Sequence, residues 1–116
     1  MSEVTGSPAE VSISAVLIQE DGAWTAQCLE YDIACQAKTL PDLDYELERM
    51  IVGYVMLALE LGQEPFAGID KAPQEYWNLF EGAKLHVKGP RRPFRLPKPT
   101  PYGFRPDMRV ADLQPV

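Results

Sequence analysis

The sequence contains few of the residues from which catalytic and metal-binding sites are usually built. Its 116 residues include one histidine, His86, and two cysteines, Cys28 and Cys35. A structural zinc site usually needs four ligands, and nucleophilic catalysis needs a nucleophile beside a base. The spacing of these residues and the acids suggests neither arrangement. We therefore expect a protein that is not an enzyme and that holds no metal or cofactor.

The chain also lacks a long uninterrupted apolar run. Its most apolar segment, 40–61, is broken by Glu46, Glu48 and Glu60, which argues against a membrane span. Residues 1–7 lack the basic region and apolar run of a secretory signal. We therefore expect a cytoplasmic protein. Its thiols should be reduced, because disulfides are rare in reducing compartments.

Charge is unevenly distributed along the chain. Residues 1–87 contain 4 Lys/Arg and 15 Asp/Glu, a net charge of −11, whereas residues 88–116 contain 7 and 2, a net charge of +5. An acidic body repels the phosphates of nucleic acids. The basic C-terminal segment, in contrast, would be attracted to RNA, to an acidic partner or to the acidic body itself.

Composition divides the chain into three parts. Residues 1–10 are small and polar and contain Gly6 and Pro8, which predicts a disordered leader. Residues 11–87 carry the periodic patterns of one small domain. Residues 88–116 contain seven prolines, which predict an extended or disordered tail without a helix or a central strand. Since so small a body is often stabilised by self-association, we expect a homo-oligomer.

Alternating apolar residues predict a three-stranded meander. The first strand covers 11–18, and Asp21-Gly22 predicts a two-residue hairpin turn into a second strand, 23–29. After a polar break, residues 33–37 form a short third strand. One face of the first strand is apolar throughout, and the other becomes apolar only near its C-terminal end. That end is therefore expected to be covered on both sides.

A long amphipathic helix is predicted over 40–61. Thr39 is a suitable N-cap, Pro41 is tolerated in the first turn, and Gly62 is a typical helix end. Apolar residues at spacings of three and four form a stripe that we expect to lie across the sheet. The stripe consists of Leu43, Leu47, Met50, Ile51, Tyr54, Leu57, Ala58 and Leu61.

A second short helix, 74–81, and a fourth strand, 84–87, complete the predicted fold. The short helix carries Tyr76, Trp77 and Phe80, which we expect to cover the part of the long helix that the sheet leaves exposed. The predicted class is α+β, a three- to four-stranded antiparallel sheet covered by one long helix.

Three candidate sites each have a plain structural alternative. His86 stands alone in a short apolar run, which favours an ordinary strand residue. Cys28 and Cys35 could form a disulfide or a redox pair, but two buried thiols acting as small apolar side chains are favoured. Glu30 and Asp32 could be an acid–base pair, but a solvated turn is favoured.

Aromatic and basic residues supply the remaining candidates. The aromatic residues of the short helix could stack on a peptide or a base, although aromatics at helical spacing more often belong to a core. In the C-terminal segment, basic residues are mixed with the aromatic residues Phe94, Tyr102 and Phe104, and such a mixture can hold single-stranded RNA or dock in a partner groove. A solvated, disordered end is the favoured alternative. The basic candidates for partner binding are Arg91, Arg92, Arg95 and Lys98.

One stretch, residues 21–40, resembles the HicB-like antitoxin family. In that family a glycine follows the first strand, and an aromatic residue precedes Val/Thr-Ala. Leu-Glu or Pro-Glu then leads into a short strand, and Gln-Gly-Asp-Thr precedes a long helix. Ala37 and Lys38 replace the usual Gly-Asp, and the order of strands and helix extends the resemblance to Leu61. The matching residues are Gly22, Trp24, Thr25, Ala26, Leu29, Glu30, Gln36 and Thr39.

The resemblance implies a β-β-β-α-β domain, like a shortened ribonuclease H fold without its catalytic acids. Such domains commonly bind and block a small HicA-type ribonuclease toxin. Full antitoxins usually add a C-terminal DNA-binding motif, but the segment after Val87 has no helix long enough to enter a groove, so DNA binding is not expected. The expected function is a non-catalytic interaction module, a solitary antitoxin-type subunit that binds a small basic ribonuclease toxin. RNA binding through the basic C-terminal segment is the alternative.

Overall fold

The computed structural model of the chain describes residues 9–87 and 102–111, with side chains for 13–87 and 107–111. The fold class is α+β, as the sequence predicts, and the long helix packs against the sheet. The elements of the described residues are β1 (Ala9–Glu20), β2 (Ala23–Cys28), β3 (Ala34–Ala37), α1 (Leu40–Leu61), α2 (Gln74–Gly82), β4 (Leu85–His86) and β5 (Tyr102–Val110).

The sheet is mixed and has the strand order β3-β2-β1-β5-β4. β1 pairs with β2, β2 with β3, and β4 with β5 in antiparallel ladders, whereas β1 and β5 are parallel. The sheet thus differs from the expected one by a fifth strand and by one parallel pair. The predicted fourth strand exists as β4, but its partner is β5 and not the meander.

The C-terminal segment, expected to contribute no central strand, supplies β5 between β1 and β4. That expectation rested on proline, and Pro106 lies within β5. The N–H of Ala111 donates to the carbonyl of Leu17, so the odd-numbered residues of β5 direct their N–H groups towards β1. The N–H that Pro106 lacks would point away from β1, at a position that the pairing with β4 does not reach. Within the described residues, the proline therefore breaks no ladder hydrogen bond.

Parts of two predicted segments lie outside the described residues. Ala9 and Glu10, assigned to the disordered leader, form the start of β1. Residues 1–8, 88–101 and 112–116 are not described, so the predictions for them stay predictions.

The strand β1 separates two apolar clusters, because its alternate residues face opposite sides of the sheet. Ile13, Ala15 and Leu17 face α1 and belong to the larger cluster. Val16 and Ile18 face the other side and pack with residues of α2. The expected cover on both sides of this strand end is confirmed. The aromatic helix α2, however, lies on the sheet face opposite α1. The prediction that it covers α1 is therefore wrong.

The helix α1 has the predicted bounds and the predicted ends. The Thr39 hydroxyl accepts a hydrogen bond from the Asp42 N–H at 3.2 Å, and Gly62 has a φ of 67°. Of the predicted stripe, Leu57 and Leu61 are 55% and 60% exposed. The C-terminal half of α1 is apolar on nearly all sides, so spacing alone could not identify the buried residues. The buried residues of α1 are Leu43, Leu47, Ile51, Val55 and Ala58.

Leucine-to-alanine substitutions at two positions of α1 test this packing. Leu47 is 0% exposed, so Leu47→Ala should lower the free energy of unfolding by about 3 kcal/mol through lost burial and a residual cavity. Leu61→Ala deletes the same atoms from a side chain that is largely exposed to solvent. It should lower the free energy of unfolding by about 0.5 kcal/mol or less. Urea unfolding followed by circular dichroism measures both, and equal losses would contradict the assignment of the buried face.

Candidate functional site

Glu30 and Asp32, the candidate acid–base pair, organise the turn between β2 and β3. Glu30 Oε1 accepts a hydrogen bond from the Ser14 N–H at 2.7 Å, and Asp32 Oδ1 accepts one from Gln27 Nε2 at 2.9 Å. Ser14 needs this acceptor because the Leu29 carbonyl, its partner in the β1–β2 ladder, accepts instead from the loop that precedes α2. Both carboxylates therefore accept hydrogen bonds from other residues of the fold. This structural role goes beyond the solvated turn that the sequence favours.

Cys28 and Cys35 lie on neighbouring strands and face α1 as free thiols. Burial, together with the neighbouring Cys35 and Glu30, raises the pKa of Cys28 to about 12. Burial and the Glu46 carboxylate raise the pKa of Cys35 to about 11. Because the thiolate is the nucleophilic and metal-binding form, both groups are poorly reactive near neutral pH. This agrees with their interpretation as small apolar side chains.

Phe66 is a core residue in the loop between α1 and α2. It is 5% exposed, and its ring stacks on Tyr31 with the centroids 4.2 Å apart and an interplanar angle of 14°. Its centroid also lies 5.7 Å from that of Tyr54 on α1. The loop after α1 is therefore packed against the helix. The sequence signal was an aromatic residue flanked closely by proline and glycine.

The aromatic residues of α2 belong to the second cluster and do not form an open stacking surface. Phe80 is buried, and Tyr76 and Trp77 are half-buried beside it. Arg109 of β5 lies over the Phe80 ring, with its Cζ 4.1 Å from the centroid, and its Nη1 is 3.5 Å from the Phe80 carbonyl oxygen. This cation–π contact connects β5 to the end of α2.

His86 is exposed on the edge strand β4. Among residues 9–87 and 102–111, no three His, Cys, Asp or Glu side chains form a group that could hold a metal ion. An apolar cavity of about 220 Å³ lies between the start of α1 and strands β1 and β5, and it offers a single charged group for chemistry. Its lining residues are Leu17, Leu40, Pro41, Leu43, Asp44, Val87 and Met108.

The basic candidates of the C-terminal segment lie outside the described residues. Because residues 102–110 form β5, a truncation after Val87 would remove a strand of the sheet together with these side chains. Their contribution to binding is therefore separable from folding only by substitution. The four positions are Arg91, Arg92, Arg95 and Lys98.

The edge strand β3 has an open outer side within the described part of the chain. Cys28 donates its N–H to the Ile33 carbonyl, which fixes the alternation of the β2–β3 ladder. By that alternation, the N–H and C=O groups of Ala34 and Gln36 point away from β2. Such unpaired backbone groups are a template for a further strand.

The helix α1 carries more acidic than basic side chains, and Asp42 and Glu60 are exposed on its side away from the sheet. Its one basic residue, Arg49, pairs with Glu46 at 3.6 Å in largely exposed positions, a contact of small energetic value. A helix with five acids and one base repels nucleic acids and attracts cationic proteins. The acids of α1 are Asp42, Asp44, Glu46, Glu48 and Glu60.

Comparison with known proteins does not indicate a function. No helix in the described ranges is both long and apolar enough to cross a bilayer. Neither a protein-family model, nor a curated protein, nor a solved structure matches the chain. The described residues offer two features for binding, the open edge of β3 and the acidic helix α1.

Substitution of Glu30 tests its structural role. Glu30→Ala leaves the Ser14 N–H without its carboxylate acceptor and should lower the free energy of unfolding by about 1–2 kcal/mol. Glu30→Gln keeps an acceptor and should cost less. Glu20→Ala, at an exposed position of the hairpin, is the control and should be nearly neutral. Equal stability of all three variants in urea unfolding would show that the hydrogen bond does not contribute to the free energy of unfolding.

Thiol labelling tests the state of the two cysteines. With pKa values of about 12 and about 11, both thiols should react with an aromatic disulfide reagent at pH 8 at least about 100-fold more slowly than in the unfolded chain. The rate of Cys35, isolated by Cys28→Ala, should rise about tenfold per pH unit up to pH 10, because the thiolate fraction does so. Rapid labelling at pH 8 would instead identify a reactive thiol.

Proposed function

We propose that the chain is a non-catalytic interaction module, an antitoxin-type subunit of the cytoplasm that binds a small basic protein. The proposed partner is a ribonuclease of the kind that HicB-like antitoxins block. The observation that supports this most is the charge of α1, which carries five acids and one base, with Asp42 and Glu60 exposed on its side away from the sheet. A ribonuclease is basic where it binds RNA, so an acidic helix is complementary to that surface.

The use of the chemistry-bearing residues supports a binding role. Glu30 and Asp32 accept hydrogen bonds from the fold, and burial keeps Cys28 and Cys35 protonated. These four groups therefore serve the hydrogen bonding and packing of the fold. An inhibitor needs no catalytic group, since it acts by occupying the surface of its partner.

Because the proposed attraction is electrostatic, binding should depend on the charge of α1 and on the salt concentration. Complementary charge mainly accelerates association and falls off as ionic strength rises. Removal of acids from α1 should therefore weaken capture of the partner more than removal of the same number of acids elsewhere.

The test is affinity purification of the full chain from its native host at low salt, with mass spectrometry of the proteins that remain bound. We expect one small basic protein, and its recovery should fall at least about tenfold when three acids of α1 become amides. The variant carries Asp42→Asn, Glu48→Gln and Glu60→Gln.

A charge-matched control separates a specific surface from net charge. It carries Glu20→Gln, Asp21→Asn and Glu75→Gln, three exposed acids outside α1, and should retain the partner. Recovery of no small basic protein, or an equal loss in both triple variants, would contradict the proposal. Loss of the partner after ribonuclease treatment would point to the alternative, RNA binding through the basic C-terminal segment.

A further inference from the structure

We propose that the open edge of β3 is the interface of a homodimer. In this arrangement β3 pairs with β3 of a second copy, antiparallel about a two-fold axis at Cys35, and the two five-stranded sheets become one. The inference goes beyond the proposed function and does not depend on the basic partner.

The hydrogen-bonding groups of the edge define this register. Ala34 and Gln36 direct their backbone groups outwards, and an axis at Cys35 places Ala34 of each copy opposite Gln36 of the other. Both of these pairs can then exchange two hydrogen bonds. An axis at Ala34 would instead require the N–H of Asp32, which already donates to the Asp70 carbonyl at 2.7 Å.

The charges at the two ends of the edge favour a second copy as the occupant. Lys38 is exposed at one end of β3, and Asp32 and Asp70 are exposed at the other. Antiparallel pairing over residues 34–36 brings Lys38 of each copy near the two acids of the other, so the match occurs twice, and the ladder ends there because the Asp32 N–H is bonded to the Asp70 carbonyl. A register centred on Gln36 would place Lys38 opposite Ala34 and lose this match.

The helix beside the edge carries features that a second copy would explain. Glu46 acts on Cys35 through its charge, so this side of α1 lies towards the edge. Gly53 follows two turns later on the same side, and a Cβ at this position would meet no atom within 4 Å. Glycine is unfavourable inside a helix, and nothing in the described chain requires it there. With Leu57, which is 55% exposed, it leaves a small and apolar surface for the second copy.

The cysteines of the chain report the register directly. Residues at a non-hydrogen-bonded antiparallel pair have Cα atoms about 4.5 Å apart, within the range of a disulfide. The two Cys35 thiols would occupy such a pair, whereas Cys28 is 0% exposed within each copy. Prolonged mild oxidation should therefore link Cys28→Ala chains into covalent dimers and leave Cys35→Ala chains unlinked.

Sedimentation equilibrium of the full chain with two substitutions at Gln36 tests the edge itself. Gln36→Pro removes an outward N–H that the β2–β3 ladder does not use, so the subunit should fold and self-association should weaken at least tenfold. Gln36→Ala removes the side chain, which bonds Thr25 at 3.0 Å, but keeps the N–H and should remain dimeric. Circular dichroism verifies the fold of both variants.

A charge exchange keeps the test decisive if the proline variant does not fold. Lys38→Glu and Asp70→Lys should each weaken the dimer roughly tenfold, since two ion pairs become like-charge contacts, and the double variant should restore it. A wild-type chain that is monomeric at about 100 µM would overturn the proposal. So would a dimer that Gln36→Pro and both single charge variants leave intact, or one that oxidation links through Cys28.

Discussion

The strand β1 is hydrogen-bonded along both of its edges, to β2 in an antiparallel ladder and to β5 in a parallel one. The first ladder is local and follows from the hairpin turn at Asp21-Gly22, where both residues have positive φ. The second joins segments about ninety residues apart and brings the C-terminal part of the chain to the centre of the sheet. These two ladders also position the helices, because α1 covers one face of β1 and α2 covers the other.

Sequence reasoning succeeded where the controlling interaction is local. The bounds of α1 follow from the hydroxyl of Thr39 and from the left-handed conformation of Gly62, both of which act within a few residues. It failed at β5, because pairing of distant segments leaves no local pattern. The prolines of the C-terminal segment predict no central strand, yet Pro106 is tolerated because its missing donor points away from β1. The direction of an N–H in a sheet is a property of the register and cannot be read from the residue type.

The same limit applies to the candidate site. Glu30, Asp32, Cys28 and Cys35 are residue types that often perform chemistry, and their spacing alone could not exclude it. The structure assigns them to hydrogen bonds of the turn and to the apolar cluster under α1. The open groups of Ala34 and Gln36 could not be recognised in advance, because any residue has an N–H and a C=O. Only the order of the strands shows which of them lack a partner among the described residues.

The two proposed surfaces are compatible, and one strengthens the other. A two-fold axis that joins antiparallel edge strands runs perpendicular to the sheet, so both copies of α1 lie on the same face of the joined sheet. Two acidic helices then present their charge side by side, and the potential that attracts a cationic partner rises accordingly. If the partner has two basic regions, or is itself a dimer, the second contact forms at a high effective concentration. Self-association at β3 would thereby convert a modest electrostatic attraction into tight binding without any change in α1.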